Sequence, residues 1–235
     1  MSGEGMHLQF DLSAFIESFR ALKEKGWVRS ERRGPTGIGQ TLEVHLGLKE
    51  NNIALPDLGE VELKAHRIGS TSMVTLFTFN RKAWKMKPLE AIHRFGTEDV
   101  NGRLGMYITM SRTPNSTGLF LHVDNETVSV RHISGQLIAE WRLDGLADQF
   151  MRKMPALILV SAQSEERGGR EWFKYERAQL LWNTSRDILK TELETGNVLI
   201  DLRLHDRGTS ARNHGTGFRT YVEKLPLLYE NVKQL

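Results

Sequence analysis

The sequence predicts a mixed α/β (α+β) fold, and three observations carry that reading. Several stretches alternate apolar and polar residues with the period of a strand. Others carry apolar stripes at helical spacing. One run, residues 155–162, is apolar on both faces, as a strand covered from both sides is. No internal repeat or low-complexity tract is present, which excludes solenoids and propellers.

The elements follow in order. Phe15, Ile16, Phe19 and Leu22 form a helical stripe that Gly26 stops. After the loop "RRGPTGIG", Thr36 is placed to cap a second helix with the stripe Ile38, Leu42 and Leu46, ended by Gly47; Glu43 lies on it. From Glu60 to His66 the chain alternates, with Val61, Leu63 and Ala65 on one face and Glu60, Glu62, Lys64 and His66 on the other. Residues 72–79, "SMVTLFTF", read as its partner strand. Pro88 opens a short helix in "MKPLEAIHRFG". Residues 103–145 are β-rich, with strands "GLFLHV", "TVSVRHI" and "LIAEWRL" joined by turn residues. The apolar run 155–162 is a central strand, and "REWFKYERAQLLW" continues its sheet. Thr184 caps a helix through Leu193 that stops at Gly196. "VLIDLRL" is a further strand, and a loop rich in Gly, Arg and His, residues 205–217, leads into "FRTYV" and a tail with Pro226.

Composition narrows the class. The 235 residues suit one sizeable domain or two lobes. With 39% hydrophobic and 26% charged residues the chain reads as globular. No apolar run approaches the roughly 18 residues of a membrane span, and "MSGEGMHLQF" is no signal peptide. The absence of cysteine excludes a disulfide framework and thiolate metal sites, and a reducing cytoplasm is the simplest home. Net charge is +3 and the pI about 9.2. The excess concentrates in three stretches, Lys23–Arg33, Arg81–Arg94 and Asp201–Arg219, which could line one groove or form ordinary solvated surface. The histidines lack zinc-site spacing, and "GPTGIGQT" lacks the Gly-Lys-Ser/Thr of a phosphate loop.

The chemistry concentrates in "NNIALPDLGEVELK", residues 51–64. Glu62 and Lys64 share a strand face, and a bend at Gly59 could bring Asp57 beside Glu62. Two adjacent carboxylates either share a proton or hold a divalent cation. Magnesium keeps several waters, so Asp57, Glu62 and a backbone carbonyl, that of Leu63, would suffice. A lysine beside them could steady an attacking water or offset charge on a phosphate. The same residues also fit a plain ion pair between Glu62 and Lys64 on an edge strand, with Asp57 in a turn.

The pattern Pro56-Asp57, a short gap, then Glu62-x-Lys64 resembles the PD-(D/E)xK nucleases. "GIGQTLE", "ENNIALPDLGEVELKAHR" and "TLFTF", with the later "HRFG", "LILVSAQSE", "VLIDLRL" and "HGTGFR", resemble the MvaI/BcnI restriction endonucleases of the MutH-like branch, MvaI most. The resemblance implies a restriction-endonuclease-like core, a mixed sheet flanked by helices, and two lobes around a DNA cleft. Residues 1–100 would be mainly catalytic and 101–235 mainly recognition, with strands near 155–180 shared with the core sheet. Asp57, Glu62 and Lys64 would be the catalytic triad, with Mg2+ (Mn2+ able to substitute) on Asp57, Glu62 and the Leu63 carbonyl, and Glu43 an accessory acid near the metal.

For recognition the resemblance implies Asp201, Arg203, Arg212, His214 and Arg219 at the DNA grooves, with His66 and Arg94 also toward DNA. The residue types agree: arginine matches guanine O6 and N7, aspartate accepts from cytosine N4, and histidine serves either edge. Arg33, Lys85 and Lys87 suit phosphates. Asp201 with Arg203 is equally a cross-strand ion pair by type. One departure is that the MvaI pattern His-Asp-His-Gly reads Arg212–Asn213–His214–Gly215 here. The implied activity is a type II restriction enzyme acting as a monomer on double-stranded DNA, at a CC/GG site with a degenerate central pair, CCWGG by the likeness to MvaI. A cognate DNA methyltransferase would be its functional partner, and a prokaryotic cytoplasm its location. Two alternatives are a MutH-like strand-nicking enzyme and a catalytically dead DNA-binding protein.

Overall fold

The computed structural model describes residues 11–48, 61–80 and 83–235. They form two compact units, one from the described residues within 1–71, 152–183 and 229–235, the other from those within 72–151 and 184–228. The first begins with α1 (Leu12–Glu24), β1 (Trp27–Arg29), α2 (Gly37–His45) and β2 (Glu62–Arg67). The chain then builds the second: β3 (Met73–Thr78), α3 (Pro88–Phe95), β4 (Thr97–Glu98), β5 (Leu104–Met110), β6 (Leu119–Val123), β7 (Thr127–His132), β8 (Leu137–Arg142) and α4 (Leu143–Lys153). It returns to the first with β9 (Ala156–Arg167) and β10 (Arg170–Trp182), adds α5 (Arg186–Glu194), β11 (Val198–Asp206), β12 (Ala211–Tyr221) and a 3-10 helix (Val222–Leu228) to the second, and ends in β13 (Asn231–Gln234).

The first unit is a five-stranded sheet in the order β1-β10-β9-β2, with β13 on β10. Pairings within it are antiparallel except β2 on β9, which run parallel with Glu62 beside Leu157 and Lys64 beside Leu159. Residues 156–160 of β9 are all buried, as expected of a central strand. Phe15, Phe19 and Leu22 of α1 and Ile38 and Leu42 of α2 pack with Val61 and Leu63 and with Ile158 and Val160 into one core. Asp11 caps α1, accepting from the Ala14 amide at 2.9 Å. Thr36 precedes α2, but its side chain makes no capping bond. That helix is fastened elsewhere: the buried Tyr175 hydroxyl donates to the Ile38 carbonyl at 2.7 Å. Gly37 is obligatory there, because a Cβ would stand 2.5 Å from the Arg32 carbonyl oxygen.

The second unit holds an antiparallel five-stranded sheet, β3-β12-β11-β5-β4, and the three-stranded meander β6-β7-β8. Phe77 stacks on Phe218 with ring centroids 4.6 Å apart, and Trp141 meets Phe218 edge-on. Pro88 opens α3 as expected. Three expectations change. β3 pairs with β12 rather than with β2, whose partner is β9. Residues 205–217 are no loop: β11 and β12 pair as a hairpin from Asp206↔Ala211 upward, leaving residues 207–210 as the turn. Ser185, not Thr184, caps α5, accepting from the Ile188 amide at 3.3 Å. Among the described residues no helix is long and apolar enough to cross a membrane.

Candidate active site and nucleic-acid interface

Alternation along β2 does what the pattern requires. Val61 and Leu63 enter the core, so Glu62 and Lys64 leave from the other face. Glu62 is 3% exposed, a carboxylate that water cannot solvate. Two ammonium groups balance it: Lys64 Nζ donates to Oε1 at 2.8 Å, and Lys153 Nζ lies 2.9 Å from Oε2. The Lys153 contact is an ion pair outside hydrogen-bond geometry, so Oε2 is buried without a hydrogen bond. The ion pair foreseen as the plain alternative is therefore present, on a carboxylate buried deeper than an edge-strand pair needs. The buried Tyr229 hydroxyl donates to the Met154 carbonyl at 3.1 Å. Burial, and then the Glu62 charge, push its phenol far above the ordinary range.

Asp57 lies outside the described residues. Glu43 is half-buried on α2, which packs on β2; its Oε1 lies over Gly39, 3.9 Å from where a Cβ would stand. Burial pushes the Tyr175 phenol far up, with the Glu171 and Glu43 charges adding and Arg67 opposing. His66 is half-buried further along β2, and burial lowers its imidazolium pKa. Arg67 holds Glu171 (2.5 and 2.7 Å) and the carbonyls of Pro35 and Gly34, which ties the loop before α2 to β2. Arg33 is exposed in that loop. Among the described residues no three His, Asp or Glu side chains cluster as a metal site. Glu62 nonetheless suits a hard divalent ion: it is a carboxylate with a buried oxygen that lacks a hydrogen bond.

Asp201, Arg203 and Arg219 meet in the second unit. Asp201, 6% exposed, accepts at Oδ2 from Arg203 Nε at 2.8 Å and from Arg219 Nη1 at 2.9 Å, with Arg203 Nη2 in ion-pair contact at 2.8 Å. Its Oδ1 accepts from the Thr109 hydroxyl at 3.1 Å. Arg219 also donates to the Met73 carbonyl at 2.9 Å. Beside them lies an open cavity of about 500 Å³, lined by Arg103, Arg203, Arg207 and Arg212 together with Tyr107, His205 and His214. His205 Nδ1 is 3.1 Å from His214 Nε2 and 3.3 Å from the Tyr107 hydroxyl, so the tautomers of the two rings are linked. Burial lowers the His205 pKa, and Arg103, His214, Arg207 and Arg212 reinforce it. Gly215, at φ +113°, takes a backbone conformation that only glycine adopts readily, just past His214. Lys85, Lys87 and Arg94 are exposed; Lys85 pairs with Glu140 at 3.1 Å and Arg94 with Glu90 at 2.7 Å.

Sequence reasoning did not single out Lys153, Thr109, Tyr107, Arg103, His205 or Arg207 as site residues. Arg207 and His205 sit inside a basic stretch that was visible. Lys153 ends a helix whose stripe, Leu143, Leu146, Ala147 and Phe150, was legible by spacing alone.

Comparison with known proteins identifies the family and the fold. The description "MvaI/BcnI restriction endonuclease family" matches residues 16–229. Among solved structures, one of restriction endonuclease MvaI in complex with its cognate DNA substrate is similar at 25% identity and a TM-score of 0.77, over 96% of this chain and 99% of that one. A structure of MvaI in the absence of DNA is similar at 25% identity and a TM-score of 0.58, over 100% and 99%. No curated protein sequence matches. The chain belongs to the MvaI/BcnI restriction endonuclease family, a family of type II site-specific deoxyribonucleases.

Proposed function

We propose that the chain is a Mg2+-dependent endonuclease, with Mn2+ able to substitute, that cleaves double-stranded DNA as a monomer at a CC/GG site with a degenerate central pair, CCWGG. The observation that carries this is Glu62, 3% exposed on β2 with Lys64 Nζ 2.8 Å from its carboxylate, downstream of Pro56-Asp57. Asp57, Glu62 and the Leu63 carbonyl would hold the ion, with Glu43 the accessory acid. When bound it would supply positive charge against the scissile phosphate. Lys64 Nζ steadies the attacking water and stabilises charge that gathers on the phosphoryl oxygens. The water oxygen bonds to phosphorus as the bridging ester oxygen departs.

Recognition falls to the basic cavity and the Asp201 cluster. Arg203, Arg212, His214 and Arg219 would read base edges, and Arg33, Lys85 and Lys87 would contact phosphates. His66 and Arg94 would add DNA contacts. The catalytic role goes mainly to residues 1–100 and the recognition role mainly to 101–235, with β9 and β10 serving the catalytic sheet. A reducing cytoplasm and a paired DNA methyltransferase complete the reading.

The test is incubation with plasmid DNA and Mg2+, followed by sequencing of the ends. Linear product cut at CCWGG is expected. No cleavage with any of several divalent metals overturns the activity, and nicked product alone turns the reading to a strand-nicking enzyme. Asp57→Ala and Lys64→Ala should abolish cleavage and keep DNA binding; an active variant removes that residue from the triad.

A further inference from the structure

We infer that Lys153 is a second lysine of the active site: a positioning residue whose ammonium stands in for the divalent ion at Glu62, so that metal binding has to displace it. The inference rests on the reading of Glu62 as a metal-binding carboxylate. A buried carboxylate needs a counter-charge, and Lys64 already supplies one at Oε1. Lys153 adds a second cation, 2.9 Å from Oε2, the carboxylate oxygen that a divalent ion would also claim.

The placement of Lys153 is built into the fold. β2 and β9 run parallel, so the chain entering β9 arrives at the end of the sheet where β2 begins, with Leu157 beside Glu62. Lys153 is the last residue of α4, just before that entry. Met154 is fully buried, and Tyr229 holds its carbonyl at 3.1 Å. The backbone is therefore fixed while the side chain keeps a route out: it is 24% exposed against 4% for Glu62. The contact itself is loose in kind. An ammonium is a compact charge without a planar fork, and here it leaves the Oε2 lone pairs without a hydrogen bond. A divalent ion would claim that oxygen in competition with it. When a phosphate offers Lys153 another anion the competition eases, which couples metal occupancy to bound DNA.

The test reads metal binding and not cleavage. Mn2+ affinity of the full-length protein without DNA is measured from the free-ion electron paramagnetic resonance signal. Lys153→Met and Lys153→Gln should bind Mn2+ about tenfold tighter or more than the wild type, since the repulsion between the ammonium and the ion is gone. Lys153→Arg keeps the charge and should stay within about threefold of the wild type. A folded Met or Gln variant within about twofold of the wild type overturns the inference. Glu62→Gln separates the two claims. If it leaves Mn2+ binding unchanged, the metal role of Glu62 fails, and this inference with it. If it abolishes binding while Lys153→Met changes nothing, only this inference fails. The wild type gives an independent arm: amine acylation of Lys153, read by peptide mass, should rise when Mg2+ is added, with the surface residue Lys23 as control. Unchanged labelling of Lys153 at saturating metal overturns the displacement.

Discussion

Asp201→Asn is the sharpest test of how the recognition residues are held. Asparagine keeps the shape and removes the charge. Its amide nitrogen can face the Thr109 hydroxyl, which accepts, while its oxygen stays toward Arg203 and Arg219. The bonds to the guanidinium groups survive and stay charge-assisted from the donor side; what is lost is the ion pairing and the charge that offsets repulsion between the two cations, roughly 1–1.5 kcal/mol for each arginine. The Arg203 side chain is 50% exposed and Arg219 19%, so solvent screening discounts the first share most. The expected loss of stability is about 2 kcal/mol, read as a lower urea midpoint with an unchanged slope.

Binding then separates two roles for the carboxylate. Oδ2 is already engaged by both arginines, so its larger effect is to hold their forks in place. Weakening the hold on both forks should cut the ratio of cognate to non-cognate affinity by about 3–10-fold, a part of the about 1–3 kcal/mol of discrimination that a good bidentate pair contributes. Non-specific affinity should rise slightly, because one negative charge is gone. The assay is competition anisotropy against duplexes with single base-pair changes. Loss confined to one base pair would mean that Asp201 reads a base itself. A variant whose urea midpoint and specificity ratio both match the wild type would refute the positioning argument.

Three further outcomes are expected. Tyr175→Phe removes the buried bond to the Ile38 carbonyl and should cost about 1–2 kcal/mol by urea denaturation, with slower cleavage because α2 carries Glu43. Arg207→Gln, at the basic cavity, should lower the slope of log affinity against log salt by about 1 at any DNA sequence, measured by anisotropy across a salt series. For pH, His66 and His205 both have folded pKa values below the ordinary 6.5. The unfolded chain therefore takes up protons first, so stability is fully present above pH 6.5 and falls as pH drops from 6.5 through the folded values. Thermal melts between pH 7 and pH 5 should show that decline, and His66→Gln should flatten its share.

What could be read before the fold was known divides along a physical line. Val61 and Leu63 against Glu62 and Lys64 is a local pattern, because strand period alone sends neighbours to opposite faces. The apolar run of β9 and the proline of α3 are local in the same sense. The α4 stripe was local too, but it begins at Leu143 directly after Arg142 of β8, with no turn residue to mark the change of period. Partner choice is different in kind. Nothing in "SMVTLFTF" says that it pairs with residues 217–221, far downstream, instead of the strand just before it. Likewise residues 211–217, Ala-Arg-Asn-His-Gly-Thr-Gly, have weak strand preference alone and become a strand because β11 offers them a ladder. Lys153 is the extreme case. A basic residue in the last turn of a helix is common for dipole reasons, so it carried no signal of its own. It reaches Glu62 because two strands far apart in sequence run parallel, and parallel strands bring together whatever precedes each of them. The residues that a strand presents can be read from its own period, whereas those that arrive at its end are set by topology.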